Sequence, residues 1–391
     1  MRVFSAQYVI TNAGKILKRP VITTGDDGTI IKVTDTGGHL VEQASVEFHN
    51  GVIVPGFINT HCHLELSYLK GQIKPGAGLG AFLMAVNTLR DSLVTDKTKH
   101  FSTADEMMFS SGVIACADIC NSPLTFDFKT KCRIKYINLL EIFGINRDLA
   151  LTRLNDLEKL SAIASGLGLE HYPVPHSTYS LSLTLFRMLR EVSLENKVTS
   201  IHFMESADEA RFLAGEPCSI ADNYKIFLPG YVKPETVRDH ADAILNEITS
   251  SGNLILVHNT HVGQADLDRI AHRKNIYFCL CPNSNLYISG QLPPLDLLIT
   301  NRCKITLGTD SLSSNTSLNM LEEMKTLQFS FPYLSLETII SWASLNGAMA
   351  LGLDREAGSI VPGKKPGLVL IRDADLSDLR LMPGSTSVRL I

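Results

Sequence analysis

The sequence predicts an α/β protein: a (β/α)8 TIM barrel with a small β-sandwich domain formed from both termini. The 391-residue chain carries eight apolar, β-rich runs that alternate with helical patterns over about 300 residues, the repeat of a (β/α)8 barrel. Most of these runs end in polar residues, and the functional groups of such a barrel lie at the carboxyl ends of its strands. A doubly wound sheet would need a Gly-rich phosphate loop after its first strand, and the sequence has none.

The two ends of the chain share a pattern of short strands and turns. The segment QYVITNAGKILKRPVITTGDDGTIIKVTD has β-rich runs interrupted by Asn-Ala-Gly and Asp-Asp-Gly, which are turn signals. The segment GSIVPGKKPGLVLIRDAD near the C-terminus is similar. Neither segment is large enough to fold alone. We therefore predict one small β-domain from residues 1–54 plus 355–391, and a barrel from residues 55–354.

The middle of the chain supplies the barrel strands. In chain order the runs are GVIVPGFINTH, GVIACADI, IKYINLLEIFG, LEHYPVPHS, VTSIHFMES, NLILVHN, IYFCLCPNS and KITLGTD. Helical stretches such as LFRMLREVSLENK and ADLDRIAHR lie between them. The ends of the first, fourth, fifth and sixth runs carry histidine, although the chain has only 12 histidines. Histidines placed at random along the chain would not cluster at the same end of successive strands.

Composition narrows the classes of function. The formal net charge is −4, so the chain lacks the basic surface that nucleic acid requires, and we predict no nucleic-acid partner. No run of about eighteen apolar residues occurs, and MRVFSAQYVITNAGK at the N-terminus lacks the features of a signal peptide. We therefore expect no membrane association and a cytoplasmic location. The sequence gives no reliable oligomer interface, so a homo-oligomer is left open.

The eight cysteines are predicted to be free thiols. Cys62, Cys116, Cys279 and Cys281 lie in strand-like apolar runs. The spacings of Cys116–Cys120 and Cys279–Cys281 do not fit the C-x2-C pairs of a zinc ribbon. We interpret these residues as small apolar core side chains in a reducing compartment.

The polar strand ends include a candidate metal site. His61 and His63 end the first run, and residues i and i+2 of a strand point the same way, so their imidazoles can bind one metal ion. His202 from the fifth run and Asp310 from the eighth could complete the ligand set. Asp310 could instead cap the next helix, as could a serine of LGTDSLSSN. Three nitrogens and one carboxylate oxygen suit Zn²⁺ or Fe²⁺, with one position left for water.

Five motifs, in order along the chain, resemble those of the amidohydrolase superfamily, within its deaminase and chlorohydrolase branch. PGFINTHCHLELS is similar to the first-strand motif of that branch, IHFMES to its His-x-x-Glu motif and VHNTH to its sixth-strand histidine motif. CPNSNLYIS and LGTDSLSSNTSLNMLEEM resemble its seventh- and eighth-strand motifs. The resemblance covers nearly the whole chain, including the β-domain from both ends.

The resemblance implies a role for each motif residue. The metal ligands would be His61, His63, His202 and Asp310. Glu205 would move protons, and His258 would orient the attacking water or stabilise its developing charge. No lysine ends the fourth run, HYPVPHS, so the bridging carbamate of the two-metal branches is not expected. We predict one divalent metal ion, Zn²⁺ first, with Fe²⁺ as the alternative.

These residues suit the hydrolytic deamination of an amino-substituted heterocycle. A bound divalent ion lowers the pKa of its water to about 7, and Asp310 can accept the proton of that water. Glu205 can protonate the ring nitrogen beside the C–NH2 carbon, while His258 donates to the hydroxyl in the tetrahedral state. Ammonia then leaves and a carbonyl remains.

Within the branch, HCHLELS and HFMES are most similar to motifs of enzymes that deaminate adenine nucleosides with bulky 5′ groups. These are the aminofutalosine deaminases and the S-adenosylhomocysteine/methylthioadenosine deaminases. The latter usually carry an acidic residue after the first strand that holds the ribose hydroxyls, and residues 76–90, GAGLGAFLMAVNTLR, contain none. We therefore predict a 6-aminopurine nucleoside such as aminofutalosine, with its 5′ group near the small residues of PGAGLGAF.

The predicted substrate contacts are less specific than the metal site. They are Glu65, His176, Asn283 and Ser284. Glu141 is a further carboxylate that could serve, and both Glu65 and Glu141 could equally be salt-bridge partners inside the barrel. His176 in VPHSTYS matches the family's fourth-strand substrate histidine, although a hydrogen-bonded structural histidine is the alternative.

Two alternative functions stay open at this stage. Guanine or triazine deamination, or dechlorination, would use the same metal machinery. An inactive barrel that acts as a binding module would be a function of another class, but such a protein should have lost a ligand or Glu205, and every expected position is filled. The expected partner is a small-molecule substrate.

Overall fold

The computed structural model describes residues 1–39, 45–92, 96–228 and 230–391. Residues 40–44 of the predicted β-domain, and residues 93–95 and 229 of the predicted barrel, lie outside the described part. The strands of the first fifty-five residues are β1 (Arg2–Val9), β2 (Leu17–Lys18), β3 (Val21–Thr24), β4 (Ile30–Thr34) and β5 (Val46–Pro55). The central strands are β6 (Phe57–Cys62), β7 (Val113–Cys120), β8 (Lys135–Ile142), β9 (His171–Pro175), β10 (Val198–Phe203), β11 (Asn253–His258), β12 (Ile276–Leu280) and β13 (Lys304–Leu307). The last strands are β14 (Leu368–Arg372) and β15 (Thr386–Arg389).

Helices follow the central strands, as the alternating pattern predicts. Those of the first half are α1 (Leu79–Ser92), α2 (Lys97–Ser111), α3 (Phe126–Lys129), α4 (Ala150–Gly166) and α5 (Leu183–Val192). Those of the second half are α6 (Ala207–Ala214), α7 (Ser219–Phe227), α8 (His240–Asp242), α9 (Gln264–Ile270), α10 (Pro282–Ser289), α11 (Leu295–Thr300), α12 (Met320–Ser330), α13 (Leu336–Ala343) and α14 (Leu345–Ala350). Short 3-10 turns span Leu64–Leu69 and Arg147–Leu149, and one π turn spans Ala243–Glu247.

All eight predicted runs of the central region contain a strand, and the strands pair in parallel. They form two four-stranded sheets, in the orders β6–β7–β8–β9 and β10–β11–β12–β13. Isolated parallel bridges join Cys62 to Asp310 and Ser177 to His202, so the edge strands of the two sheets lie side by side at both seams. The predicted α/β class is confirmed.

Helix α4 shows how the helices cover the strands. Its buried residues include Leu154, Leu157, Leu160 and Ala164, which recur every three or four positions and therefore lie on one helix face. This face packs against β8 and β9. The same arrangement leaves the carboxyl ends of the strands free to carry polar side chains.

One seven-stranded sheet combines both ends of the chain, in the order β15–β14–β5–β1–β3–β4 with β2 paired to β1. Ile53 and Leu370 lie in a core that belongs to this sheet, whereas Val54 and Val369 lie in the core that it shares with the central strands. Because successive side chains of a strand point to opposite faces, β5 and β14 are buried on both faces. The second layer of the predicted β-sandwich stays a prediction.

The prediction that the cysteines are free thiols is confirmed. All eight lie in the described part of the chain and are free thiols, and Cys62, Cys116, Cys279 and Cys281 are buried. In the same described part, none of the helices combines the length and the apolar character needed to cross a membrane.

Candidate metal-dependent active site

Side chains from the ends of β6, β10 and β13 converge in one buried cluster. The Nε2 atom of His63 lies 3.1 Å from that of His61 and 3.3 Å from that of His202. The Oδ1 atom of Asp310 lies 3.6 Å from Nε2 of His61 and 3.5 Å from Nε2 of His63. The four side chains that the sequence nominates as metal ligands are therefore brought together by the fold.

The chemistry of this donor set fits a divalent cation. Burial, together with the neighbouring imidazoles, lowers the pKa of His63 and His202 well below the usual value, so these rings are neutral. His202 Nδ1 lies 2.9 Å from the carbonyl oxygen of His176 and donates its proton there, which leaves a lone pair on Nε2. A second hydrogen bond of this kind is the usual way to orient a ligating histidine. Lone pairs that face one another at these distances repel unless a cation lies between them.

The carboxylate of Asp310 is held in place by two hydroxyl groups. Ser284 and Ser314 donate to its Oδ2 atom at 2.6 and 2.7 Å, which leaves Oδ1 for the histidines. Burial acts to raise the pKa of Asp310, but the adjacent imidazoles hold it well below its usual value overall. Ser284, predicted as a substrate contact, thus contacts Asp310, and the contribution of Ser314 was not predicted. Asn319 caps the next helix, α12. The alternative that Asp310, or a serine of LGTDSLSSN, caps this helix is therefore wrong.

The backbone contact between the first and last central strands sets the position of Asp310. The N–H groups of Thr309 and Asp310 both donate to the carbonyl oxygen of His61 at 3.1 Å. Asn59 binds Thr309 twice, through Nδ2 to the hydroxyl at 2.8 Å and through Oδ1 to the N–H at 3.1 Å. A Cβ on Gly308 would lie 2.8 Å from Cβ of His61, so the close approach of these strands requires glycine there.

Several residues at these strand ends adopt the left-handed backbone conformation. The φ angles are 52° for Met204, 76° for His258, 59° for Asn259 and 56° for Asp310. This conformation is uncommon for residues other than glycine and is found preferentially at functional sites. Its occurrence at three different strand ends of one cluster supports a functional assignment.

Glu205 and His258 form a pair beside the histidine cluster. Oε2 of Glu205 lies 3.8 Å from Nε2 of His258, and Nδ1 of His258 donates to Oδ1 of Asn285 over 2.8 Å. Burial raises the pKa of Glu205, and the His258 charge opposes this in part. Burial acts to lower the pKa of His258, but Glu205 and Asp310 raise it overall. The pair can therefore keep a proton next to the metal cluster.

The start of helix α6 fixes the backbone of Glu205. The Glu209 carboxylate accepts N–H groups of three consecutive residues, Met204 at 3.2 Å, Glu205 at 2.7 Å and Ser206 at 3.0 Å. Ser206 caps the helix and forms a capping box with Glu209. Ser206, the capping residue, directly follows Glu205 in the sequence. The start of helix α6 therefore fixes the position of the proposed proton-transfer residue.

A cavity of about 280 Å³ opens onto the cluster, a size at the lower end for a small-molecule site. Its inner wall carries His63, His202, Glu205, His258 and Asp310. Its outer wall is mostly apolar and includes Leu66, Leu79, Phe82, Val86, Ile220 and Phe227. The cavity therefore combines a reactive polar end with an apolar entrance, much of it supplied by helix α1 and helix α7.

The structure separates the four residues that were predicted to contact substrate. His176 lines the cavity, and its Nδ1 lies within hydrogen-bond distance of the hydroxyls of Ser177 and Ser180, so Nε2 is available to a ligand. Glu65, Asn283 and Ser284 are not among the described residues that line this cavity.

Glu65 and Asn283 have protein partners instead. Glu65 accepts from Arg90 at 3.3 Å and from Ser122 at 3.0 Å, which agrees with the salt-bridge alternative. The side chain of Asn283 accepts the hydroxyl of Thr326. Glu141, the carboxylate that was offered as an alternative to Glu65, does line the cavity.

A buried carboxylate on β7 supports the first metal-ligand segment and was not predicted. Asp118 accepts the N–H of Leu64, the residue after His63, at 2.7 Å. It also forms a wholly buried ion pair with Lys129. The sequence did contain a signal for this residue, because Asp118 is an acidic side chain near the end of the second run, GVIACADI.

The family model described as "Amidohydrolase family" matches residues 52–384. The chain belongs to the amidohydrolase family. The resemblance that the five motifs indicate is thereby confirmed. Among curated relatives, adenosine deaminase of Helicobacter pylori is 26% identical over 375 residues, covering 92% of this chain and 87% of that protein. Aminodeoxyfutalosine deaminase of Nitratiruptor sp. is 27% identical over 380 residues, with the same two coverages of 92% and 87%.

Solved structures of this family are similar over nearly the whole chain. Helicobacter pylori aminofutalosine deaminase in complex with methylthio-coformycin matches with a TM-score of 0.85 at 22% identity, covering 100% of both chains. A Xanthomonas campestris adenosine deaminase with bound zinc matches with a TM-score of 0.67 at 20% identity, covering 98% of this chain and 86% of that one. These likenesses show an amidohydrolase fold of the TIM-barrel type.

Proposed function

We propose that this amidohydrolase is a metal-dependent hydrolytic deaminase of a 6-aminopurine nucleoside, with aminofutalosine as the first candidate substrate. The observation that carries the proposal is the convergence of three histidine Nε2 atoms and Asp310 Oδ1 beside the Glu205–His258 pair at one end of a single cavity. The deaminase relatives support the reaction and the substrate class.

The residues that would hold the metal are His61, His63, His202 and Asp310. When bound, a divalent ion supplies Lewis acidity that brings the pKa of a coordinated water to about 7. We propose Zn²⁺, and Fe²⁺ also suits three imidazoles and one carboxylate. Oδ1 of Asp310, which its two serine partners leave free, is placed to accept a proton from the attacking water.

The Glu205–His258 pair supplies the remaining proton transfers. Because burial raises the pKa of Glu205, its neutral form is available to protonate the ring nitrogen next to the C–NH2 carbon. Nε2 of His258 lies next to the Glu205 carboxyl group. It can donate a hydrogen bond to the oxygen that becomes the carbonyl. Water and the amine together become the 6-oxo product and ammonia, so the atoms balance without a further reactant.

The apolar entrance supports a nucleoside with a bulky 5′ group. Leu79, Phe82 and Val86 of helix α1 and Ile220 and Phe227 of helix α7 line the cavity. Apolar surfaces of this kind bind an apolar substituent favourably, because its removal from water needs no hydrogen bonds in compensation. The inactive-barrel alternative has no support, since every residue that it should have lost is present in the cluster.

Further features of the fold belong to the same proposal. We infer that the two parallel sheets form one closed (β/α)8 barrel, because both seams are bridged. The division into residues 1–54 plus 355–391 and residues 55–354 is supported by β5 ending at Pro55 and β6 beginning at Phe57. A cytoplasmic location is supported by the free state of all eight described cysteines.

The test is a deaminase screen with the zinc-loaded protein. Adenosine, aminofutalosine, S-adenosylhomocysteine, methylthioadenosine, guanine and a chlorotriazine are compared by absorbance and by release of ammonia or chloride. We expect 6-aminopurine nucleosides to yield their 6-oxo products and ammonia. Release of ammonia from guanine alone, or of chloride from the triazine alone, would overturn the substrate assignment and leave the metal chemistry intact.

A further inference from the structure

One buried acidic side chain next to the site makes more hydrogen bonds than its helix cap requires. Glu209 is wholly buried and lies in the first turn of α6. In a capping box the acidic side chain accepts one N–H group, that of the capping residue, which here is Ser206 at 3.0 Å. Glu209 also accepts the N–H groups of Met204 at 3.2 Å and Glu205 at 2.7 Å. These two further bonds go to the segment that carries the proposed proton-transfer residue.

Backbone N–H groups are the main partners of the buried Glu209 side chain. Among the described residues, the only basic group within 4 Å of its oxygens is His240, at 3.9 Å, and burial lowers the pKa of His240 to about 4, so this ring is neutral. Burial, with the nearby Glu205, raises the pKa of Glu209 to about 8, which its N–H partners oppose. In either protonation state Oε1 has lone pairs for the N–H groups of Glu205 and Ser206.

Met204 is the residue whose conformation needs these bonds. It directly follows Phe203, the last residue of β10, and its φ angle is 52°. This left-handed conformation brings Cβ close to the next carbonyl oxygen, so a residue other than glycine keeps it only where the surrounding structure holds it. The N–H group of Met204 and that of the next residue, Glu205, are the two that Glu209 accepts outside the helix.

The turn at Met204 also sets the distance between the two proton-transfer side chains. Its carbonyl oxygen accepts the N–H of His261 at 2.8 Å, which ties the end of β10 to the segment after β11. That segment begins with left-handed residues too, His258 at 76° and Asn259 at 59°. The two adjacent strands thus end in turns that are bonded to each other, and the side chains of Glu205 and His258 meet at 3.8 Å.

We propose that Glu209 is a positioning residue for proton transfer: its oxygens hold Met204 in the left-handed conformation, and this turn places the Glu205 carboxyl group beside His258. Glu209 is not among the described residues that line the cavity, so it acts through the backbone and not by contact with a ligand. Its loss should therefore lower kcat more than it changes KM. This inference rests on the proposed deaminase function.

The experiment compares kcat, KM and zinc content of the zinc-loaded wild type, E209A and E209Q, on whichever substrate of the deaminase screen the wild type converts fastest. E209A removes the acceptor of all three N–H groups and should lower kcat by about a hundredfold, the scale of a misplacement of about 1 Å. E209Q keeps one oxygen and should lose less. S206A is the matched control, because it removes the side-chain cap of α6 but none of the three bonds, and it should leave kcat close to that of the wild type.

A double-mutant cycle separates positioning from a general loss of structure. M204G and M204A both remove the Met204 side chain, but only glycine adopts a positive φ without steric cost. E209A should therefore lower kcat about tenfold less in the M204G background than in the M204A background, the factor that corresponds to the left-handed penalty. If E209A does not fold, as judged by its melting temperature, E209Q takes its place in both backgrounds.

Three results would contradict the inference. Equal effects of the Glu209 variants in the two Met204 backgrounds, or a kcat of E209A as high as that of S206A, would overturn the positioning role and leave the proposed function intact. Loss of zinc in E209A would do the same, since it would make Glu209 a support of the metal site. Failure of the wild type to convert any substrate of the screen would overturn the proposed function and this inference together.

Discussion

Two buried polar clusters of this protein lie next to each other and differ in whether their atoms have partners. In the first, Lys129 pairs with Asp118, both wholly buried, and also donates to Asn138 at 2.8 Å and to Cys120 at 3.2 Å. In the second, the histidine cluster, three Nε2 atoms face one another. The Nδ1 atoms of His61 and His63 have no partner among the described residues.

The difference separates a structural role from a functional one. Burial alone would lower the pKa of Lys129, but the adjacent Asp118 carboxylate raises it overall, so Lys129 stays charged beside its partner. In the histidine cluster, a bound cation would take up the lone pairs of the three converging Nε2 atoms. The two are connected, because Asp118 accepts the N–H of Leu64 directly after His63. The Asp118–Lys129 pair therefore holds the backbone of the histidine cluster at Leu64.

The largest expected effect follows from removing a metal ligand. His61→Ala should abolish both metal binding and turnover, because it deletes one of the two imidazoles that the first strand presents together. Metal content by mass spectrometry and initial rates with excess Zn²⁺ measure this. His272→Ala, at an exposed histidine after helix α9, is the control and should change neither. Full metal occupancy with a normal rate in His61→Ala would contradict the assignment.

A smaller but still large effect is expected in the satisfied cluster. Lys129→Met leaves Asp118 as an unpaired buried charge, and breaking such a pair reduces the free energy of unfolding by about 3–5 kcal/mol. Chemical denaturation of the metal-free protein measures this. Lys159→Met is the matched control, because its ion pair with Asp156 is exposed and should contribute at most about 1 kcal/mol. Similar changes in the two variants would show that the Asp118–Lys129 pair does not support the fold.

The smallest of the three effects is expected for proton transfer. Glu205→Gln should keep the metal and lower kcat by at least about a hundredfold, the scale of general acid–base catalysis, since glutamine fills the same space but cannot deliver the proton. The exposed Glu216→Gln is the control. Loss of the metal in Glu205→Gln would instead make Glu205 a ligand, and the division between ligand and proton-transfer residues would need revision.

The sequence by itself was sufficient to predict the α/β class, the eight central strands and the pairing of His61 with His63, and the resemblance of its motifs added His202 and Asp310 to the group. The physical reason is that these are local properties. The period of two in a strand places His61 and His63 on one side, and parallel strands of alternating βα units bring their carboxyl ends to the same edge. No knowledge of distant contacts is needed for either step.

Only the tertiary structure decided which side chains support the site and which line the cavity. Glu65 and Glu141 are both acids near strand ends, and sequence cannot tell them apart. The outcome depends on Arg90, which reaches Glu65 from helix α1 and orients Glu141 through Asn121. The partners Asn285 of His258 and Ser314 of Asp310 were missed for the same reason. Hydrogen-bond partners are chosen by distance in space, and that distance is set only when the elements pack.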